Sequence, residues 1–255
     1  MRGMSEPPHA PGLVPAPAAI VAEISAWTRA LQQAAGNAFR ALYVHGSALT
    51  ERFDPQASDV NLLLVVDELG AERLEALARA CAAEVVRSKR RVTPLVLSRE
   101  QIEHSTDVFP LEFSDLARRR ALVAGEDVLA RLDIDARNLR HQCESELRAK
   151  LVGLRQAYLA AGGAPAKVQE LLVRAAGGTA AAYRGLLLLR GAEPPHDPEA
   201  LVGAVARTYA VDAGALAAPF AARRERGAAE AAKTRFAEYL GALESLIRAV
   251  DALRL

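Results

Sequence analysis

The chain has 255 residues, with 32 Lys and Arg against 31 Asp and Glu and a formal net charge of +1. That length serves one large domain or two modest ones, and the charge balance supplies no bulk attraction to nucleic acid or to an anionic membrane. Two cysteines, Cys81 and Cys143, exclude a disulfide framework and a zinc site and point to a reducing, cytoplasmic compartment.

Residues 1–17 contain Pro7, Pro8, Pro11, Pro15 and Pro17 and little to bury, so they read as a disordered Pro-rich leader. They lack the apolar run and cleavage site of a signal peptide. Ala18 to Ala35 reads as a helix, with Ile20, Ile24, Trp27 and Leu31 in one apolar stripe. A first strand ends at His45 and runs into the Gly46-Ser47 turn. A polar loop follows, then a second strand that carries Asp59 and Asn61 and ends in five apolar residues, Leu62 to Val66. Ala71 to Arg87 reads as a helix with Leu74, Leu77 and Cys81 inward. Arg91 to Leu97 is a third strand. Ser98-Arg99-Glu100-Gln101 has the form of a capping box. A short strand is expected at Arg120 to Ala124. Strands alternating with helices over residues 18–132 predict a small mixed sheet with flanking helices.

From Asp135 the composition turns to Ala, Leu, Arg and Glu, and residues 133–255 read as a helical bundle. The first helix places Leu139, Cys143, Leu147, Leu151, Leu154 and Tyr158 on one face. Glu144–Arg148 and Glu146–Lys150 have the favourable i,i+4 order. Gly162-Gly163 ends that helix and Pro165 opens the next, which runs to Arg190 with Gly177-Gly178 as a close-packing point or kink. A short helix follows over Asp197 to Tyr209. A last one from Arg224 carries Phe236, Leu240, Leu243, Ile247 and Val250. The fold class is therefore α+β, a mixed sheet followed by a four-helix bundle. No apolar run has the length to span a bilayer.

The chemistry concentrates at the first turn. Gly46 allows a tight turn and close approach to a ligand. Ser47 would open a helix whose N–H groups and positive dipole end suit a triphosphate. Residues two apart in a strand share a face, so Asp59 and Asn61 face the turn together while Val60 and Leu62 face the core. An apolar strand, Gly-Ser, a loop and Asp-x-Asn in an apolar strand resemble the signature of the nucleotidyltransferase superfamily, the bacterial aminoglycoside nucleotidyltransferases in particular. In that family the second position is also Asp. The resemblance implies that Gly46 and Ser47 hold the phosphates and that Asp59 and Asn61 hold Mg²⁺ or orient a phosphate. It also implies a third acid on the following strand, and an acceptor bound in a cleft between the sheet domain and the helical domain.

Here the pattern departs from the family's. Asn61 adds no charge and the third strand carries no acid, so Asp59 stands alone. An amide oxygen still suits a hard cation, so one Mg²⁺ shared between Asp59 and bound phosphates is possible. Two divalent ions around one carboxylate would repel. Asp67 has the right parity but lies roughly 26 Å along the strand. Glu112 and Asp115 follow the third strand; Glu112 is the base of choice if the chain is an enzyme, set against a surface or capping role for both. His45, beside the turn, is either a phosphate contact or base, or a strand-end histidine without a catalytic role.

Three basic clusters, Arg87 to Arg91, Arg118 to Arg120 and Arg223 to Arg226, read as solvated helix ends or turns; the first two flank the turn, which leaves open a role for them in holding a polyphosphate or an acidic partner. Arg190 and His196 have the spacing of the ribonuclease motif of HEPN helical domains. Two prolines precede that histidine, and a helix end with a turn explains the residues. Three readings follow. The first is a degenerate nucleotidyltransferase-fold protein, a pseudoenzyme that binds a nucleotide with Mg²⁺. The second is an active enzyme moving a nucleoside monophosphate from a triphosphate to a hydroxyl of a small molecule or protein. The third is an antitoxin-like or regulatory module with a protein partner.

Overall fold

The structure, a computed structural model, describes residues 12–50, 53–54, 58–88, 91–224 and 229–255. Four strands make a mixed sheet: β1 (Phe39–His45), β2 (Val60–Val66), β3 (Val92–Ser98) and β4 (Arg120–Gly125), in the order β3-β2-β1-β4. β1 is antiparallel to both β2 and β4, and β3 is parallel to β2. Parallel neighbours need a crossover, which helix α2 (Ala71–Arg87) supplies after helix α1 (Val21–Ala35). Leu62 to Val66 in β2 are all fully buried because helices cover the strand on both faces.

On one face, Leu42, Val44, Val60, Leu62, Leu64 and Val66 pack against Ile24, Trp27 and Leu31 of α1 and Leu77 of α2. Leu74, expected inward, is 53% exposed; it precedes the part of α2 that meets the core, which begins at Leu77. On the other face, Ala41, Tyr43, Leu63 and Val65 pack against Ile102 of α3 (Arg99–Glu103) and Phe113 and Leu116 of α4 (Pro110–Arg118). The capping box at Ser98 forms: Gln101 N–H donates to Ser98 Oγ (3.1 Å) and Ser98 N–H to Gln101 Oε1 (2.8 Å).

Part of the expected leader is structured. The Arg120 N–H donates to the Gly12 carbonyl (2.9 Å), and the Val14 N–H donates to the Arg120 carbonyl (2.9 Å). The open outer edge of β4 offers backbone groups that this segment satisfies. Gly12 (φ +79°) is fitted to the place, since a Cβ there would lie 2.0 Å from the Ala117 carbonyl oxygen. Residues 1–11 lie outside the described residues.

The chain divides into two compact units. The first holds the described residues up to Val108 and Glu112–Ile134; the second holds Phe109–Leu111 and Asp135–Leu255. The second contains six α-helices among the described residues, where four were expected: α5 (Ala136–Ala160), α6 (Pro165–Ala175), α7 (Ala180–Leu188), α8 (Pro198–Thr208), α9 (Ala213–Arg224) and α10 (Ala232–Asp251). The predicted helix to Arg190 is broken into α6 and α7. Gly178 takes φ +80°, and Lys150, expected to pair with Glu146, donates to the Gly177 carbonyl instead (2.7 Å). α9 holds Pro219 inside it, which hides a helix from propensity. Glu144 does pair with Arg148 (2.7 Å), and with Arg140 (2.9 Å). The Arg190-to-His196 stretch lies between α7 and α8, where the Arg190 guanidinium stands 5.7 Å over the Tyr209 ring. No helix among the described residues is long and apolar enough to cross a membrane.

Candidate functional site

β1 delivers His45 to the end of the sheet, and Gly46 (φ +75°) turns the chain. The helix expected to open at Ser47 is a single 3-10 turn, Gly46–Leu49. It stops because Thr50 closes it, donating both its N–H (3.1 Å) and its hydroxyl (2.8 Å) to the Ser47 carbonyl. Ala48 and Leu49 are buried and anchor the turn, while Gly46 and Ser47 are exposed. The turn therefore offers solvent an open backbone and one hydroxyl, fixed from below by apolar packing.

Register builds the rest. His45 pairs with Asn61 on β2 and with Arg120 on β4, and Asn61 pairs with Thr93 on β3. Directly opposed residues share a face, so Thr93, Asn61, His45 and Arg120 form one polar row across the sheet at its turn end. Asn61 leans on the turn: its Nδ2 lies 3.0 Å from where a Gly46 Cβ would be. Asp59 precedes β2 by one residue and is half exposed.

The acids are sparse. Asn61 is neutral, and the β3 residue across from it is Thr93. The ion pair recorded for Asp59 is with Arg91, Nη1 to Oδ2 at 3.9 Å. Among the described residues no three His, Cys, Asp or Glu side chains come together as a metal site. The pair of Mg²⁺ ions implied by the resemblance does not fit the donor set of the described residues, Asp59 with a guanidinium beside it.

Glu112, the base favoured by sequence, is exposed on α4. Asp115, one turn later, acts electrostatically on His45. Burial pushes the His45 pKa below its ordinary 6.5, and the Asp115 carboxylate pulls it partway back. The ring is thus held as the free base near neutrality. Asp67 is spent at the other end of β2, where it pairs with Arg40. Beneath the row, Arg120 is fully buried and grips Asp127 with two bonds, Nε to Oδ1 (2.9 Å) and Nη2 to Oδ2 (2.6 Å). The Tyr43 hydroxyl also donates to Asp127 (3.1 Å), and burial, then the Asp127 charge, pushes its pKa up. Sequence reasoning missed this cluster; it placed Asp115 within possible reach of the site, behind a surface or capping role, and did not pair it with His45. The cluster's one signal was the basic run at Arg118 to Arg120.

No protein-family model and no curated protein matches the chain. Among solved structures, it is similar to spectinomycin adenyltransferase AAD(9) from Enterococcus faecialis, crystallised with ATP and spectinomycin. The TM-score is 0.52 at 15% identity, over 88% of this chain and 98% of that one. The likeness defines the class of fold: a nucleotidyltransferase-type α+β unit, with helices making up the C-terminal part.

Proposed function

We propose that this is a nucleotidyltransferase-fold protein that binds a nucleotide through its triphosphate at the Gly46-Ser47 turn and has lost most of its transfer chemistry. The observation that carries the reading is the pair of neutral residues, Asn61 and Thr93, at adjacent register positions beside the turn, with Asp59 the acid left of the expected set among the described residues. Nucleotidyl transfer needs positive charge gathered on the phosphates and a base on the acceptor, and carboxylates normally gather that charge by holding metal. The open backbone of Gly46 and the hydroxyl of Ser47 still offer donors to phosphate oxygens, with Asn61 supplying an amide. Calorimetric titration with ATP, GTP, CTP and UTP tests the reading. ATP comes first, because the neighbour in fold is an adenyltransferase solved with ATP. Saturable binding of at least one nucleotide, with pyrophosphate release at background, is the expected outcome. No binding at millimolar nucleotide would contradict it.

One observation favours a second reading, an active transferase: Asp115 is brought to bear on His45. The acceptor oxygen would bond to the α-phosphorus and the α–β bridge would break. Pyrophosphate would leave, and the hydroxyl proton would pass to the His45 ring, whose protonated form the Asp115 charge favours. Pyrophosphate release from ATP with spectinomycin as acceptor, abolished in His45→Gln, would establish this reading over the first.

A further inference from the structure

The position that should attract a metal ion holds a cation already. Arg91 lies one residue before β3, and its carbonyl accepts the Val60 N–H (3.0 Å), which fixes its backbone beside Asp59. Its guanidinium reaches to 3.9 Å from the Asp59 carboxylate. A divalent ion on that carboxylate would share it with this positive charge. Like charges held this close repel, and more strongly where solvent is partly excluded. Asn61 and Thr93 add no negative charge to offset that. The Asp59–Arg91 pair itself is open, with side chains 49% and 77% exposed. Exposed pairs of this kind contribute little to stability, so a polyanion can take the guanidinium from Asp59 at small cost. A guanidinium also matches phosphate with two parallel donors.

We infer that the Gly46–Asn61 site binds the polyphosphate of its nucleotide without a divalent metal, with Arg91 supplying the countercharge that carboxylate-held metal would otherwise bring. The inference rests on the nucleotide-binding reading above. It changes what the site is: an anion site with a swinging arginine. Asp59 then serves as the resting partner of Arg91 and opposes binding through its own charge.

The test is calorimetric titration of ATP, and separately of inorganic tripolyphosphate, into the full-length protein in EDTA and in Mg²⁺. Binding in EDTA should match that in Mg²⁺ to within about threefold. Arg91→Gln, an exposed substitution, should weaken binding in EDTA by about tenfold or more. Asp59→Asn should tighten it, and Arg91→Lys should retain part of it. Tripolyphosphate should compete with ATP. Binding that requires Mg²⁺ and disappears in Asp59→Asn would overturn the inference and leave the nucleotide reading standing. Binding in EDTA that Arg91→Gln leaves unchanged would also overturn it. No binding of ATP under either condition would remove the nucleotide reading, and this inference with it.

Discussion

Two arginine–aspartate pairs lie at the turn end of the sheet, and they are built in opposite ways. Arg120 and Asp127 are enclosed, joined by two hydrogen bonds, and roofed by the Tyr43 hydroxyl. Arg91 and Asp59 meet in solvent at 3.9 Å through one recorded contact. Burial makes the first pair permanent: separating it would strand a charge away from water. Exposure leaves the second exchangeable, since water and a competing anion can replace either partner. The same two residue types thus give a structural clamp in one place and an exchangeable surface pair in the other. Solvent access decides which.

The contrast breaks most sharply at Arg120. Arg120→Met should lower stability by about 3–5 kcal/mol, because Asp127 keeps its charge with no countercharge; urea unfolding followed by circular dichroism reads this. Arg91→Gln should change the same midpoint by less than about 0.5 kcal/mol while weakening ATP binding. Equal stability losses in the two variants would erase the distinction between the pairs.

The clamp can also be attacked through its backbone. Gly125 takes φ +89° where the chain turns from β4 towards Asp127, and a Cβ there would lie 1.9 Å from the Arg40 carbonyl oxygen. Gly125→Ala should therefore cost about 2 kcal/mol or more in the same experiment. A neutral result would show that the turn relaxes without disturbing Asp127.

A smaller effect sharpens the comparison from the middle of the row. His45 has a folded pKa lowered by burial, so on acidification the unfolded chain takes up this proton first. The stability it permits is fully present above about pH 6.5 and is lost as pH falls through the folded value. Melting temperatures across about pH 7.5 to 5 should fall less steeply in His45→Gln than in the wild type. Parallel slopes would contradict the burial of this ring. The smallest effect is at Cys143, whose thiol burial pushes up to about 12. It should resist alkylation at mild alkaline pH in the native protein and react once urea is added, as mass spectrometry would show.

Local signals were legible in the sequence, and long-range ones were not. The α1 stripe, the Ser98 capping box and the alternation that puts Asn61 on the side of the turn each depend on a few neighbouring residues. The break at Gly177-Gly178 and the helix around Pro219 went unread because glycine and proline stop a propensity argument without saying what lies on either side. The pairing of Gly12 and Val14 with Arg120 was hidden because a short proline-rich stretch carries no apolar pattern. In the site, the absence of a third acid was readable from Arg91 to Leu97. The partner of Arg91 was not: its basic run could be placed beside the site, open to a polyphosphate, but the parallel register of β2 with β3 is what sets Arg91 against Asp59. The same holds for Asp115 and His45, 70 positions apart and joined by the packing of α4 on the sheet.

The proposed nucleotide site joins the Gly46-Ser47 turn to the Asp59-to-Asn61 entry of β2. The most direct measurement is the change in backbone amide resonances of ¹⁵N-labelled protein as ATP is added. The account predicts saturating shifts that cluster at His45 to Thr50, Asp59 to Asn61 and Arg91. Shifts confined to other surfaces, such as the α1–α2 face or the helices of the second unit, or no shifts at all, would contradict it.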